Sequence, residues 1–269
     1  MIEPDFATLS DTAVGPLLVE RHDGVAVLTL NRPKRRNALT SQLLDDLRRT
    51  FETADADPTV AVVVLTGTGR GFCAGLDLDE LSSTEGGLSS GGVVGEMRGP
   101  LPAISKPVLG AINGDAITGG LELALVCDVL LASPEARFAD THTRFAMLPA
   151  WGMIARLPAR IGTARAMEMS LSGRFVAASE AEAWGLVNRV VPADDLLAET
   201  LALAQMIAGN DQGAVAAVAG LYRDAADVLA ADAWEREAAA ADWWQGAGVD
   251  PTHVAAVRES VVARNRSGR

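Results

Sequence analysis

Gly71-Phe72-Cys73-Ala74-Gly75-Leu76-Asp77-Leu78 and Asn113-Gly114-Asp115-Ala116-Ile117-Thr118-Gly119-Gly120-Leu121-Glu122 decide how this chain is read. Each follows an apolar, β-branched run and leads into a helical pattern, so each reads as a strand-to-helix turn with small residues at the bend. Small residues there let a ligand approach the main chain, and a starting helix leaves N–H groups without intrahelical acceptors. Two such turns aimed at one point would make a two-donor oxyanion hole. Glu122 lies three residues beyond Gly119, one helical turn on and within reach of the same point.

The flanking sequence places these turns in an alternating chain. Val25–Leu30, Val60–Leu65, Pro107–Ile112 and Val129–Ala132 are apolar runs of strand length, continuous rather than alternating, as in strands buried on both faces. Thr40 caps a helix that carries Leu43, Leu44, Leu47 and Phe51 on one face and closes at Asp57-Pro58. Gly119 to Val126 is a second helix. Strands alternating with helices predict an α/β core with parallel pairing. Ser82 to Gly99 is rich in Gly and Ser and reads as a mobile connection. From Asp194 the chain turns Ala-rich, with helices expected over 196–208, 214–229, 232–244 and 251–264. Trp234, Ala238 and Ala241 share one face there. The expected organisation is a flexible N-terminus (1–15), a core (16–195) and a C-terminal helical region (196–269).

A chain of 269 residues can bury a full core. Its formal charge of −12 argues against nucleic-acid binding, which needs a basic face. Local basic clusters such as Arg32, Lys34, Arg35 and Arg36 still suit a small polyanion. Cys73 and Cys127 lie in apolar segments without metal or redox spacing and read as reduced core thiols. The glycines from Gly67 to Gly71 lack the spacing of either nucleotide-binding motif. His22, His142 and His253 have no metal-ligand spacing. No secretory leader and no bilayer-length apolar stretch are visible, so a cytoplasmic protein without a membrane partner is expected.

Together and in this order, the two turns resemble the crotonase (enoyl-CoA hydratase/isomerase) superfamily. Leu30-Asn31-Arg32-Pro33-Lys34-Arg35-Arg36-Asn37-Ala38-Leu39 resembles its early coenzyme A segment, Phe138 to Pro149 its second catalytic segment, and Ala183 to Val191 a later stretch. The likeness runs from about Val19 to Pro192. It implies a spiral of repeated ββα units with a C-terminal helical region, and a homotrimer or dimer of trimers. It implies an acyl-CoA thioester as substrate, with coenzyme A as part of that substrate and no further cofactor. By position the oxyanion donors would be the N–H groups of Ala74 and Gly119, with Glu122 activating water. Lys34, Arg35, Arg36 and Ala38 would line coenzyme A, together with Ala74, Gly75, Leu76, Asp77, Leu78 and Gly119.

One departure matters. Hydratases of this family usually carry a second glutamate that protonates the α-carbon, and the corresponding position here is His142. Histidine is a competent acid near neutrality; Asp140, two residues earlier, is the runner-up for that role. Thr118 and Ala150 replace glycines common in the family and would narrow the pocket. The expected activity is hydration of 2-enoyl-CoA. The alternatives are isomerisation, thioester hydrolysis or decarboxylation through the same enolate, a non-catalytic acyl-CoA-binding paralogue, or a scaffolding subunit.

Overall fold

The computed structural model describes residues 9–83 and 99–246, with side chains up to Trp244. Residues 84–98 of the connection expected from Ser82 to Gly99, and the helix expected over 251–264, lie outside the described residues; Ser82 and Ser83 are helical.

The first strands, β1 (Leu17–His22) and β2 (Val25–Leu30), form an antiparallel hairpin. Helix α1 (Ser41–Ala56) follows, and the Thr40 hydroxyl accepts from the Leu43 N–H at 3.2 Å, as its capping position requires. Two strand–strand–helix units come next: β3 (Val62–Gly67), β4 (Gly71–Cys73) and α2 (Leu78–Ser83), then β5 (Val108–Ile112), β6 (Asp115–Ile117) and α3 (Gly119–Val126). A third unit starts with β7 (Val129–Ala132) and β8 (Arg137–Ala139), passes a 3-10 turn (His142–Phe145) and reaches α4 (Met153–Ile161) and α5 (Thr163–Ser172). The chain continues through β9 (Val176–Ala177), α6 (Ala178–Trp184), β10 (Arg189–Val190), α7 (Leu196–Ala208) and α8 (Gln212–Gly246).

Corresponding strands of successive units stack in parallel. One sheet has the order β1-β2-β3-β5-β7-β10 and the other β4-β6-β8-β9. β3, β5 and β7 are consecutive parallel neighbours in the first, and β4, β6 and β8 in the second. This is the repeated ββα layout. The inner strands β2, β3, β5 and β7 are covered on both faces, which is why they read as unbroken apolar runs. Ala26, Leu28, Val63, Leu65 and Ile112 face a core shared with α1 and α3. Val25, Val27, Val62, Val64 and Leu109 face a second core closed by Leu196 and Ala204 of α7.

Three expectations change. Strand β3 begins at Val62 rather than Val60. Residues 9–15, expected within a flexible N-terminus, include a segment tied to the core: Leu9 N–H donates to Asp57 at 2.7 Å and Thr12 exchanges backbone bonds with Val19. The helices expected over 214–229 and 232–244 are one continuous helix, α8, because the intervening Ala230-Ala231-Asp232 contains no Gly or Pro to break it. Among the described residues, no helix is long and apolar enough to cross a membrane.

Candidate active site

Both bends lie side by side at the ends of the second sheet. Gly75 has φ +88°, and a Cβ there would come within 3.0 Å of Ile117 O and 3.3 Å of Gly119 N. Gly120 has no room for a side chain either, since a Cβ would sit 2.0 Å from Cys73 O. The small residues therefore let one turn press on the other.

The N–H groups at this junction can be assigned one by one. Ala74 N–H donates to Arg36 O at 3.0 Å, so the donor expected from position is already engaged. Leu39 N–H donates to Gly75 O, and Asp77 N–H to Leu39 O, each at 2.8 Å. That alternation turns the intervening Leu76 N–H away from Leu39, and it meets no acceptor among the described residues. Gly119 N–H, at the start of α3, is likewise without an acceptor among them. Leu76 and Gly119 both line the cavity, so the N–H groups left to meet a ligand there are those of Leu76 and Gly119, not that of Ala74. The preceding Thr118 has φ +55° and ψ −114°, a conformation costly for a β-branched residue, on the order of 1–3 kcal/mol. It is held by its N–H to Ala139 O at 2.8 Å and by its hydroxyl at 2.5 Å from that of Thr141.

Glu122 is 2% exposed and borders the cavity. Its Oε1 accepts from Trp151 N–H at 2.9 Å, while Oε2 lies 3.8 Å from His142 Nε2. Burial pushes the carboxyl up to about 7; the His142 charge and the Trp151 N–H offset this in part. His142 Nδ1 is 2.7 Å from Asp140 Oδ1, which also accepts the His142 backbone N–H at 3.1 Å. Burial works against a charged imidazole. The Asp140 hydrogen bond and the charges of Glu122, Asp140 and Glu237 outweigh it and hold His142 above its ordinary value. Burial also opposes the Asp140 charge, yet its bonds to His142 keep that carboxyl below the usual range. Asp140 is 1% exposed and sits behind the imidazole, so it is not the alternative proton donor considered from sequence.

The cavity, about 220 Å³, is bounded chiefly by Leu76, Leu78, Phe145, Met147, Trp151 and Phe175 around these polar groups. Thr118 and Ala150 line it too, as their positions suggested. Trp151 closes one side, its ring 3.1 Å from where a Gly119 Cβ would stand. The C-terminal helix α8 fixes this wall. Glu237, 5% exposed, accepts from the N–H groups of Gly152 (2.7 Å), Met153 (3.2 Å) and Ile154 (2.9 Å) at the start of α4. Trp234, one turn before Glu237, packs on Gly152. Sequence reading missed Glu237 and Trp151, because a capping carboxylate from a distant helix leaves no local pattern.

The proposed coenzyme A segment divides. Asn37, buried with φ +56°, accepts Arg32 N–H at 2.8 Å and donates to Gly71 O at 2.8 Å, pinning the loop to the first bend. Arg32 pairs with Asp77 at 2.8 Å and donates to Ala38 O. Asp77 therefore braces the turn rather than meeting substrate, and Arg32 holds its carboxyl below the ordinary range against the effect of burial. Arg35 pairs with Asp79 at 2.6 Å and Lys34 is exposed. Arg36 alone of this run lines the cavity, 3.8 Å from Asp115. Cys73 and Cys127 are buried, with thiols pushed by burial to about 12. No group of three or more His, Cys, Asp or Glu converges as a metal site among the described residues.

Comparison with known proteins identifies the family. The family described as enoyl-CoA hydratase/isomerase matches residues 20–242. A probable peroxisomal enoyl-CoA hydratase 1 of Arabidopsis thaliana is 41% identical over 204 residues, covering 75% of this chain and 76% of its own. The crystal structure of an enoyl-CoA hydratase from Mycobacterium avium superposes with a TM-score of 0.79 at 44% identity, covering 87% of this chain and 99% of its own. A monofunctional enoyl-CoA isomerase from M. smegmatis gives a TM-score of 0.66 at 36% identity, covering 79% and 94%.

Proposed function

The chain belongs to the enoyl-CoA hydratase/isomerase family, and from that premise we propose that it hydrates 2-enoyl-CoA thioesters. The observation that carries this reading is one buried carboxylate, Glu122, beside two N–H groups that have no acceptor among the described residues, at the junction of the bends. The thioester oxygen binds between Leu76 N–H and Gly119 N–H, where each donor stabilises the enolate by about 3 kcal/mol. The positive end of α3 adds to this at Gly119. Glu122 Oε2, the oxygen not held by Trp151, takes a proton from water as the water oxygen bonds to the β-carbon. His142 Nε2–H then gives its proton to the α-carbon, and the enolate collapses to the 3-hydroxyacyl thioester. The cycle leaves Glu122 protonated and His142 neutral. Their 3.8 Å separation lets the proton return and restores the pair.

Asp140 completes the set. A protonated histidine facing one glutamate would leave the site neutral, whereas Asp140 restores a single net negative charge. It also fixes the tautomer, taking Nδ1–H so that Nε2 faces Glu122. The reaction needs no group beyond coenzyme A as part of the substrate. Exposed Leu171, Met206, Leu221 and Leu229 support a homo-oligomer, with a trimer as the arrangement proposed. A cytoplasmic location is proposed on the sequence features alone.

The test follows the enoyl absorbance of crotonyl-CoA with the purified chain: loss of signal with appearance of 3-hydroxybutyryl-CoA by mass spectrometry is expected. No hydration across a panel of 2-enoyl-CoA esters would refute the reading. His142 in place of a second carboxylate favours one other reaction at the same enolate, isomerisation, with Glu122 moving a proton between the α- and γ-carbons. Conversion of 3-enoyl-CoA to 2-enoyl-CoA without hydration would select it.

A further inference from the structure

Arg144 borders the cavity, yet its side chain makes no hydrogen bond or ion pair with any described residue. That is unusual in a chain of net charge −12, where most cations near the site have partners: Arg36 lies near Asp115, Arg137 grips Asp115 and Arg32 holds Asp77. The buried acids around His142 are already committed, Glu122 to Trp151 N–H and His142, and Asp140 to His142. Arg144 is also braced. A Cβ on Gly173 would stand 2.5 Å from Arg144 Nε, so the bare glycine at the end of α5 leaves the space this side chain occupies. The surrounding wall is largely apolar, with Phe145, Met147, Leu148 and Phe175. A cation left without a counter-charge among the described residues, beside such a wall, is matched to an anion that arrives with the ligand.

We propose that Arg144 recognises a carboxylate at the far end of the acyl chain, so that the preferred substrate is a 2-enoyl-CoA whose short acyl group ends in an acid. The inference rests on the hydratase reading above and names its substrate class. The placement on the chain separates the two anions a CoA ester offers. Arg144 stands two residues after His142 on the same 3-10 turn, so their backbones are within about 7 Å. His142 acts at the α-carbon, so an arginine side chain from that turn meets groups a few bonds from the reacting atoms. The phosphates of a CoA ester lie at the far end of the whole pantetheine arm, many bonds from the thioester and the α-carbon. A planar guanidinium offers two parallel donors to a carboxylate, which a lysine would not reproduce.

The experiment compares crotonyl-CoA with glutaconyl-CoA, which adds a terminal carboxylate to the same enoyl group. Wild type should favour the acid in kcat/KM by tenfold or more. Arg144→Ala should reduce the acid-to-neutral ratio by roughly 10- to 100-fold, the span expected for a lost charge-assisted contact, and Arg144→Lys should restore part of it. Isothermal titration with the saturated analogues glutaryl-CoA and butyryl-CoA reads the same subsite without turnover. Retained glutaryl preference without hydration would overturn the hydratase reading and keep the subsite. Equal wild-type affinity and turnover for acid and neutral esters would overturn the subsite. So would an Arg144→Ala change that weakens both esters alike, which would assign the residue to coenzyme A or to the fold.

Discussion

Glu122 should cost the protein stability at the pH where it works. Its carboxyl is displaced upward by burial, from an ordinary 4.5 to about 7. A raised carboxyl pKa means the folded protein holds that proton more tightly than the unfolded chain does. The penalty is thus absent below the unfolded value, grows between 4.5 and 7, and is complete above 7. At 1.36 kcal/mol per pH unit, the displacement corresponds to about 3 kcal/mol. Glu122→Gln removes the charge and keeps the shape: the amide oxygen still accepts from Trp151 N–H, and the amide N–H₂ reaches Nε2 of a neutral His142. Part of the gain is lost because His142 forfeits a carboxylate that supports its protonated form. The expected net stabilisation at pH 8 is about 1–3 kcal/mol, worth roughly 2–4 °C in Tm per kcal/mol for a chain of this size. At pH 5 it should shrink below about 1 kcal/mol.

Urea unfolding of wild type and Glu122→Gln at pH 5 and pH 8, with turnover measured alongside, checks this directly. Turnover should fall by about 100-fold or more while stability rises, the signature of a group kept for chemistry against its folding cost. A variant no more stable than wild type at pH 8, or a gain independent of pH, would show that burial does not strain Glu122. The assignment of Glu122 as the base would then lose its physical support.

Two further outcomes follow from the same cluster. His142 must be protonated to act as an acid and Glu122 ionised to act as a base, so the rate should rise as Glu122 ionises, at about 7, and fall as His142, held above its ordinary value by Asp140 and Glu122, loses its proton. Asp140→Asn removes the charge that raises His142 and leaves Nδ1–H only a neutral amide oxygen, so the alkaline fall should move to lower pH in a pH–rate profile; an unmoved limb would make Asp140 purely structural. Glu237→Ala should destabilise the fold by about 2 kcal/mol, because three N–H groups at the start of α4 lose their acceptor. Since the Glu237 charge also raises Glu122, the acid limb should move to lower pH in this variant, and unchanged denaturation and pH profile together would refute the coupling.

The bends were legible because their chemistry is local. Gly75 and Gly120 are glycines for contacts within a few ångströms, and Glu122 follows Gly119 along one helix whose start a sequence pattern can mark. The strands were legible because a sheet buried on both faces needs no alternation, only apolar residues throughout. What escaped was whatever depends on parity or on distance along the chain. Ala74 and Leu76 are two residues apart on the same bend, and only the backbone pairing with Leu39 and Arg36 decides which N–H is left over. Asp77 reads as a polar residue beside a binding turn until Arg32, 45 positions earlier, is found holding it. Glu237 lies 85 residues from Gly152 in a continuous helix that sequence reading had split in two, and it sets the wall that carries Trp151. His142 shows both halves of the lesson. Its departure from the two-glutamate pattern is visible at once, but the compensation for it, an aspartate two residues away turned to meet Nδ1, exists only once the 3-10 turn is folded.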